Sequence, residues 1–426
     1  MSDSGSFVFT KGYMKQRSGV GKRMKLSTCA IFDLAWVSSL SKSVNKRNLT
    51  LIAGVAFLAG CQVIPRTETV ATIPDPTPTP EPSATALPTD ATRHRVALLV
   101  PMGGSTAEVG QALANATTMA LLDTSAENLR ITTYDTSRGA SAAAQRAIAD
   151  GNRLILGPLL AANVPAVRAA AGPANVPAIA FSNDANVAGN NVFVVGHIPE
   201  QSIRRSIEYA RTNGSNSFAA LLPDGDYGQR SYDALQNSLL DFGGNLVGIE
   251  QYTRGNTSII GAAQRLRSRG GYDTVLIADG ARLAVQASGE LRSEGAEGTR
   301  ILGTELWSGE AMLTRSASVD GALFSAVSDG RFQRFSNSYE ARFGNRPFRI
   351  ATLGYDSVLL TLRIAREWSV GSDFPVSRLY DSGGFLGVDG AFRFNRAGVA
   401  ERALEVRQVT GNQIIAVDAA PTSFGG

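Results

Sequence analysis

The chain of 426 residues is poor in the residues that usually carry catalysis or cross-links, with two cysteines and two histidines. Cys29 and Cys61 are too few for the disulfide framework that stabilises small secreted domains. His94 and His197 leave few options for a histidine-based triad or a zinc site. The sequence also lacks a Gly-x-Ser-x-Gly elbow, a Gly-x-Gly-x-x-Gly turn and a P-loop. We therefore predict a non-enzymatic protein with no catalytic residue, no cofactor and no metal.

Lysine is confined to the start of the chain, because no lysine follows Lys46. Residues 1–60 hold nine of the 41 basic residues and two of the 37 acidic ones, which leaves 32 basic and 35 acidic residues after them. The formal net charge of +4 therefore becomes −3 from Cys61 onward. Binding to nucleic acid needs a basic face, and we predict no nucleic-acid partner.

A basic pair, a short apolar run and small residues follow one another between Lys46 and Cys61. This order is typical of a secretory signal peptide. The run is too short to span the ~30 Å hydrocarbon core of a bilayer as a helix, and a short buried helix is the alternative. The long stretch before the run leaves a later start open, at Met24 or Val44. We predict a leader over residues 1–60.

The stretch that follows Cys61 is rich in proline, threonine, glutamate, serine and alanine. Such a composition has too little apolar surface to fold and favours extended polyproline II. At ~3.1 Å per residue, about thirty such residues would reach on the order of 90 Å. We predict that residues 61–92 form a disordered tether, either a plain spacer or a means of reaching a distant partner.

The four residues Leu58-Ala59-Gly60-Cys61 resemble the lipobox of bacterial lipoproteins. The resemblance implies cleavage before Cys61 and acylation of its thiol and its new amino group. In the enterobacterial sorting rule, an aspartate after the cysteine retains a lipoprotein in the inner membrane, whereas this chain has Gln62. The resemblance therefore implies a periplasmic protein with a lipid anchor in the outer membrane. The alternative is a signal peptide that ends near a cysteine by chance.

From residue 93 onward, apolar runs of strand length alternate with amphipathic segments of helix length. The run over residues 95–100, for example, predicts a buried parallel strand. Repeated strand–helix units predict right-handed crossovers and parallel sheets with helices on both faces. Two such blocks, with a return of the chain between them, predict an α/β fold with two lobes around a cleft. We assign residues 93–198 and 321–380 to lobe 1, and residues 199–320 and 381–426 to lobe 2.

The order of these elements and five short motifs resemble the type I periplasmic binding proteins, especially the leucine/isoleucine/valine-binding branch. The motifs lie at residues 95–104, 156–159, 176–179, 226–228 and 387–394. The resemblance covers residues 95–420. It implies the two-lobed type I periplasmic-binding-protein fold, with parallel sheets flanked by helices and a small ligand in the cleft between the lobes.

The resemblance also implies where an amino acid would be held, and several of those positions differ here. The turn after the third predicted strand continues with Ala161 and Ala162 and has no hydroxyl, and Ala185 stands near the position of an expected threonine. Asp279 stands where an aromatic ring is expected, and Glu305 matches the acid that takes the ligand's ammonium group. Burying a ligand carboxylate without hydrogen-bond donors would cost several kcal/mol of binding free energy. We expect no tight binding of branched-chain amino acids.

Candidate ligand-binding residues follow predicted strands, because open parallel sheets bind ligands beyond the carboxyl ends of their strands. The candidates are Ser182, Asn183, Tyr227, Asp279 and Glu305. All but Asp279 have a structural alternative, in which Ser182 and Asn183 cap the next element, Tyr227 packs beside a hinge and Glu305 lies in a surface turn. The pattern Asp224-Gly225-Asp226 lacks the further oxygen ligands of a calcium loop and predicts a turn.

The run from Leu156 to Val164 is also similar to one in the penicillin-binding protein activators. These are lipoproteins whose binding-protein-like domain contacts a peptidoglycan synthase. Here the tether leads directly into the first strand, without the helical-repeat domain of those activators. We hypothesise a tethered periplasmic lipoprotein that activates a peptidoglycan synthase. The alternative is a receptor that delivers a small polar ligand, such as an amino acid, to an ABC permease.

Overall fold

The computed structural model describes residues 92–255, 257–293 and 298–424. The predicted leader, Cys61 and all but the last residue of the predicted tether lie outside these described residues. Within the described ranges, none of the helices combines the length and the apolar character that a membrane span requires.

The described region starts with a parallel sheet of strand order β2-β1-β3-β4-β5. The strands are β1 His94–Val100, β2 Leu129–Asp135, β3 Leu154–Leu156, β4 Ala178–Ala180 and β5 Val192–Val194. The helices between the first four strands are α1 Ala107–Asp123, α2 Ala140–Ala149 and α3 Val164–Ala171. Strands β3, β4 and β5 are buried at every position, because helices cover both faces of the sheet. The strand predicted over residues 95–100 is confirmed.

A second set of strand–helix units builds another parallel sheet. Its elements are α4 Pro199–Thr212, β6 Ser217–Pro223, α5 Asp226–Phe242, β7 Asn245–Tyr252, α6 Ser258–Arg269, β8 Thr274–Ile277, α7 Ala281–Leu291, β9 Arg300–Leu302 and β10 Leu323–Ala326. Neighbouring strands in the order β10-β9-β8-β6-β7 pair in parallel. Ile203 and Ile207 of α4 pack in the same core as Phe218 of β6, so α4 belongs to this sheet.

The chain then returns to the first sheet. The returning elements are α8 Phe332–Phe343, α9 Thr352–Ala365, β11 Phe385–Gly387, β12 Gly390–Phe394 and β13 Ala400–Arg402. Strands β11, β12 and β13 form a small antiparallel sheet. Phe385, Phe392 and Phe394 share a core with Val96 and Leu156 of the first sheet.

The last two strands rejoin the second sheet. Strand β14 Glu405–Thr410 pairs antiparallel with β10, and β15 Gln413–Asp418 pairs antiparallel with β14. The second sheet therefore has the order β15-β14-β10-β9-β8-β6-β7. We therefore define lobe 1 as the elements on the first sheet and the small antiparallel sheet, residues 92–198 and 327–402, and lobe 2 as the elements on the second sheet, residues 199–326 and 403–418.

Two of the predicted lobe boundaries were wrong. Residues 321–326 were assigned to lobe 1, but β10 pairs with β9 and β14 of lobe 2. Residues 381–402 were assigned to lobe 2, but β11–β13 pack on the core of lobe 1. A short apolar strand is compatible with either core, and only its pairing partners decide between them.

Two glycines allow backbone segments to meet closely at the strand ends. Gly157 has φ +108°, and a Cβ there would lie 2.2 Å from the carbonyl oxygen of Leu99. A Cβ on Gly228 would lie 1.7 Å from the carbonyl oxygen of Pro223. The Asp-Tyr-Gly motif therefore presses the first turn of α5 against the end of β6. This contact places Tyr227 at the carboxyl edge of the second sheet.

Candidate functional site

Tyr227 and Glu305, two of the predicted candidates, meet at the carboxyl edge of the second sheet. Tyr227 lies in the first turn of α5, and Glu305 begins a short 3-10 turn, Glu305–Trp307, after β9. The Tyr227 hydroxyl donates a hydrogen bond to Oε1 of Glu305 at 3.1 Å and lies 3.0 Å from the hydroxyl oxygen of Thr304. Oε2 of Glu305 is shielded from solvent and finds no hydrogen-bond partner among the described residues. One carboxylate oxygen is thus positioned and the other is free.

The environment of Glu305 makes its charge adjustable near neutral pH. Burial raises the pKa of Glu305 to about 7, against the lowering effect of hydrogen bonds from its own backbone N–H and from Tyr227; the charge of Glu200 adds to the rise, and that of Arg230 opposes it. Burial also raises the pKa of Tyr227 well above its usual value, so the phenol stays protonated and can donate. A cation or a hydrogen-bond donor next to Oε2 would favour the ionised carboxylate.

Asp279 follows β8 as predicted, but the protein itself engages its carboxylate. The hydroxyl of Tyr252 and Nε of Arg254 donate to Oδ2 at 2.7 and 2.8 Å. The backbone N–H of Gly280 donates to Oδ1 at 2.7 Å. The backbone carbonyl oxygen of Asp279 accepts a hydrogen bond from Nε1 of the buried Trp307 at 2.9 Å. These contacts fix two other segments, at Tyr252–Arg254 and at Trp307, to the end of β8.

Ser182 and Asn183 follow β4 on lobe 1. The Ser182 hydroxyl accepts a hydrogen bond from the backbone N–H of Asp184 at 3.0 Å, and the Asp184 carboxylate accepts one from the N–H of Asn186 at 3.0 Å. This is the pattern of a capped loop, the alternative interpretation of these residues. A ligand role for Ser182 and Asn183 stays a prediction.

Arg230 links the two lobes and was missed by the sequence analysis. From α5 of lobe 2, its Nη2 donates to the carbonyl oxygen of Asn183 on lobe 1 at 2.6 Å. Its Nε and Nη2 also pair with both carboxylate oxygens of Glu200 at 2.6 and 2.8 Å. Residues three apart on a helix share a face. The choice of Tyr227 as a candidate could therefore have pointed to Arg230, three residues later on the same helix.

A second charged cluster, also missed, surrounds the buried Asp389. Its carboxylate pairs with Arg349, accepts a hydrogen bond from the Thr352 hydroxyl at 2.8 Å and lies 2.7 Å from Nε2 of His197. Burial would raise the pKa of Asp389, but Arg349 and His197 bring it below its usual range. Neighbouring Asp356 has its pKa raised to about 7 by burial and by the charge of Asp389.

The structure shows what the acidic turn before α5 does. The Asp224 carboxylate accepts a hydrogen bond from the Thr253 hydroxyl at 2.7 Å, and Asp226 begins α5. The predicted turn is confirmed. In the part of the chain that the structure describes, no group of three or more histidine, cysteine or acidic side chains is arranged to hold a metal ion.

Comparisons with known proteins agree with this geometry. Residues 94–413 match the family described as periplasmic binding protein. A leucine-binding protein from Thermotoga maritima is similar with a TM-score of 0.60 at 19% identity, over 78% of this chain and 99% of that chain. A solute-binding protein of an ABC transporter from Rhodopseudomonas palustris, in complex with 3,4-dihydroxybenzoic acid, has a TM-score of 0.62 at 19% identity, over 78% and 99%. A branched-chain amino acid substrate-binding protein from Streptococcus pneumoniae, in complex with isoleucine, has a TM-score of 0.60 at 17% identity, over 77% of this chain and 100% of that chain.

A curated relative is an uncharacterized protein of Rickettsia prowazekii, 31% identical over 159 residues. That match covers 37% of this chain and 43% of the relative, which is less than half of its length. The likeness to the solved structures shows the fold alone, and it confirms the predicted two-lobed architecture. With the family match over three quarters of its length, the chain belongs to the periplasmic binding protein family and has its type I, leucine-binding-protein-like α/β fold.

Proposed function

We propose that the described domain is a non-enzymatic receptor for a small solute that binds between the lobes and is passed to an ABC permease. The free Oε2 of Glu305 carries this proposal, because a buried carboxylate oxygen without a partner is ready to accept from a ligand. A ligand ammonium or hydroxyl group would donate the missing hydrogen bond to Oε2. A hydrogen bond to a charged group contributes about 1.5–3 kcal/mol of binding free energy. Relatives of the same fold that are solute-binding proteins of ABC transporters support this function over the activation of a synthase.

The solute is not expected to be a branched-chain amino acid bound in the usual manner. Ala161 and Ala185 begin short 3-10 turns after the strands of lobe 1, and neither carries a hydroxyl for a ligand carboxylate. We therefore expect L-leucine, L-isoleucine and L-valine to bind weakly, while other ligands with an amine or a hydroxyl group bind through Glu305.

The experiment is a thermal-shift screen with a library of amino acids, amines and hydroxylated aromatic acids, followed by calorimetric titration of the hits. For an amine ligand we expect Glu305→Gln to weaken binding by at least about tenfold, which corresponds to the loss of one charge-assisted hydrogen bond. Glu310→Gln is the matched control, because this acid is exposed in the following loop. If no member of the library binds, or if binding is indifferent to Glu305→Gln, the receptor proposal fails.

A second candidate is the activator of a peptidoglycan synthase. The hydrogen bond from Arg230 to the carbonyl oxygen of Asn183, with the ion pair between Arg230 and Asp184, joins the lobes without any ligand, which would preserve a docking surface. The similarity of residues 156–164 to the activators points the same way. Crosslinking of intact envelopes followed by capture of the protein separates the candidates. Recovery of permease subunits supports the receptor, and recovery of a penicillin-binding protein without permease supports the activator.

We also propose that Cys61 is acylated and that residues 61–92 tether the domain to the periplasmic face of the outer membrane. The order of the lipobox, Gln62 and the proline-rich stretch supports this location. Labelled palmitate should enter the wild-type protein but not Cys61→Ala, and density-gradient fractions should carry the protein with outer-membrane markers. Label in Cys61→Ala would contradict the anchor, and inner-membrane fractionation would contradict the location.

A further inference from the structure

The residues that follow β15 leave the second sheet and reach lobe 1. Asp418, the last residue of β15, is held on lobe 2, because its carboxylate accepts a hydrogen bond from Nη2 of Arg205 of α4 at 2.6 Å. Residues 419–424 come next, and at their end the guanidinium group of Arg393 lies over the ring of Phe424, 5.0 Å from its centroid. Arg393 belongs to β12 of lobe 1. We call residues 419–424 the strap, since they join the lobes in addition to the crossings of the chain.

The contact on lobe 1 is prepared by a neighbouring strand. Arg393 of β12 stands directly opposite Glu401 of β13 in the antiparallel pair, and its Nε donates to Oε2 of Glu401 at 2.9 Å. This ion pair limits the freedom of the Arg393 side chain, so less conformational entropy is lost when its planar group lies over a ring. The attraction between a cation and an aromatic ring acts within about 6 Å of the ring centroid. The 5.0 Å separation from Phe424 lies inside this limit.

The strap bridges a groove and does not fill a core. The groove lies between the strap, α4 and β13, has a volume of about 530 Å³, and is lined by Arg204 and Glu401 on the two lobes and by Ala419 and Pro421 of the strap. None of residues 419–424 is buried, so their removal should leave the cores of both lobes intact. Pro421 fixes its own φ and restricts the residue before it, which limits how far the strap can adapt when the lobes move.

The strap contact coexists with lobes that are joined across the cleft. On that side, Nη2 of Arg230 donates to the carbonyl oxygen of Asn183 at 2.6 Å, and its Nε lies 3.8 Å from the Asp184 carboxylate. A rotation of the lobes that separates these groups also moves β12 relative to the end of β15, to which the strap is attached. Because the attraction between Arg393 and Phe424 fades beyond about 6 Å, such a rotation weakens it. The contact therefore favours the joined arrangement over open ones.

We propose that the strap restrains the hinge: through the contact of Phe424 with Arg393, residues 419–424 favour the arrangement in which the lobes are joined across the cleft. A restraint of this kind raises the affinity of any ligand or partner that selects the joined lobes, because a larger fraction of the protein is already in that arrangement. The inference goes beyond the receptor proposal, since the strap acts on the protein without a solute.

The experiment measures the distance between the lobes by double electron–electron resonance in the full chain without a solute. Azidophenylalanine at two exposed positions, Arg138 of lobe 1 and Glu310 of lobe 2, carries the spin labels and leaves Cys61 unchanged. In a chain that ends at Asp418, we expect the ratio of open to joined molecules to rise by about two- to fivefold, because one weak attraction between the lobes is lost.

Point variants test the contact itself. Phe424→Ala and Arg393→Met should each raise this ratio by a similar factor, and the double variant should raise it no further, since both changes remove one and the same contact. Leu240→Ala, at an exposed apolar side chain of α5, and Arg265→Met, on the exposed face of α6, are the matched controls and should leave the ratio unchanged.

The outcomes separate the restraint from the receptor function. Equal distance distributions for wild type and the shortened chain overturn the restraint, as does an effect that the controls share or an additive effect of the two point variants. If the shortened chain does not fold, Phe424→Ala decides by the same measurement, because its ring is partly exposed. Solute binding in the screen without any effect of the strap overturns this inference and leaves the receptor. An effect of the strap with no solute found supports the restraint, while the receptor proposal fails.

Discussion

Replacing Glu305 by glutamine should stabilise the folded protein, and the gain should grow with pH. Burial raises the pKa of Glu305 from 4.5 to about 7. A carboxyl group with a higher pKa in the folded state binds more protons there than in the unfolded chain. Its contribution to stability is therefore complete below pH 4.5 and is lost as the pH rises through about 7. Glutamine does not ionise, and its oxygen can still accept from Tyr227.

The magnitude follows from the shift of about 2.5 pH units at ~1.36 kcal/mol per unit. Relative to wild type, Glu305→Gln should gain about 1 kcal/mol in free energy of unfolding at pH 5 and about 3 kcal/mol at pH 8. For a domain of this size, 3 kcal/mol corresponds to a rise of about 4 °C in Tm.

The assay is urea unfolding followed by tryptophan fluorescence between pH 5 and 8, for wild type, Glu305→Gln and the control Glu310→Gln. The control removes the same charge from an exposed position. Asp356, whose pKa is also raised to about 7, titrates in all three proteins and cancels in the difference. A gain that does not change with pH, or that Glu310→Gln shares, would refute the ionisation of a buried Glu305 as its cause.

Three further predictions concern the lobes and their connections. Arg230→Met should lose the hydrogen bond to Asn183 and the ion pair with Asp184 across the cleft, so small-angle X-ray scattering should give a larger radius of gyration than for wild type or the exposed control Arg265→Met; equal radii would contradict this. Gly157→Ala should cost at least about 3 kcal/mol in urea unfolding, because the new Cβ would lie 2.2 Å from a carbonyl oxygen of β1. Gly344→Ala, also with positive φ but in open space, should cost about 1 kcal/mol, and equal losses would exclude the steric cause. Tyr252→Phe removes a hydrogen bond to the buried carboxylate after β8 and should cost about 1–2 kcal/mol in urea unfolding; a loss near zero would show that this bond contributes nothing.

Local pattern was sufficient for most of the secondary structure. The spacing of apolar residues predicts a helix over residues 231–242, but α5 begins earlier, at Asp226, because Gly228 lets its first turn approach β6. The same spacing predicts a long helix over residues 351–368, and α9 is shorter, Thr352–Ala365. Such limits depend on tertiary contacts that periodicity does not contain.

The site was predictable in part. Glu305 and Tyr227 were both predicted as candidates that follow strands, and the structure joins them by a hydrogen bond. Arg230 was missed, because an arginine near the end of a helix is exposed by default. Whether such a side chain is buried depends on what the other lobe brings against it.

The fold class was predictable from the sequence, since alternating apolar runs of strand and helix length are buried by packing helices on both faces of a parallel sheet. It also placed Tyr227, Asp279 and Glu305 at strand ends, where ligands of such sheets bind. The lobe to which β10 and β11–β13 belong, and the buried side-chain atoms that lack a hydrogen-bond partner, could be read only from the folded structure. Those are properties of pairs of segments distant along the chain, and burial and hydrogen bonding exist only once the segments meet.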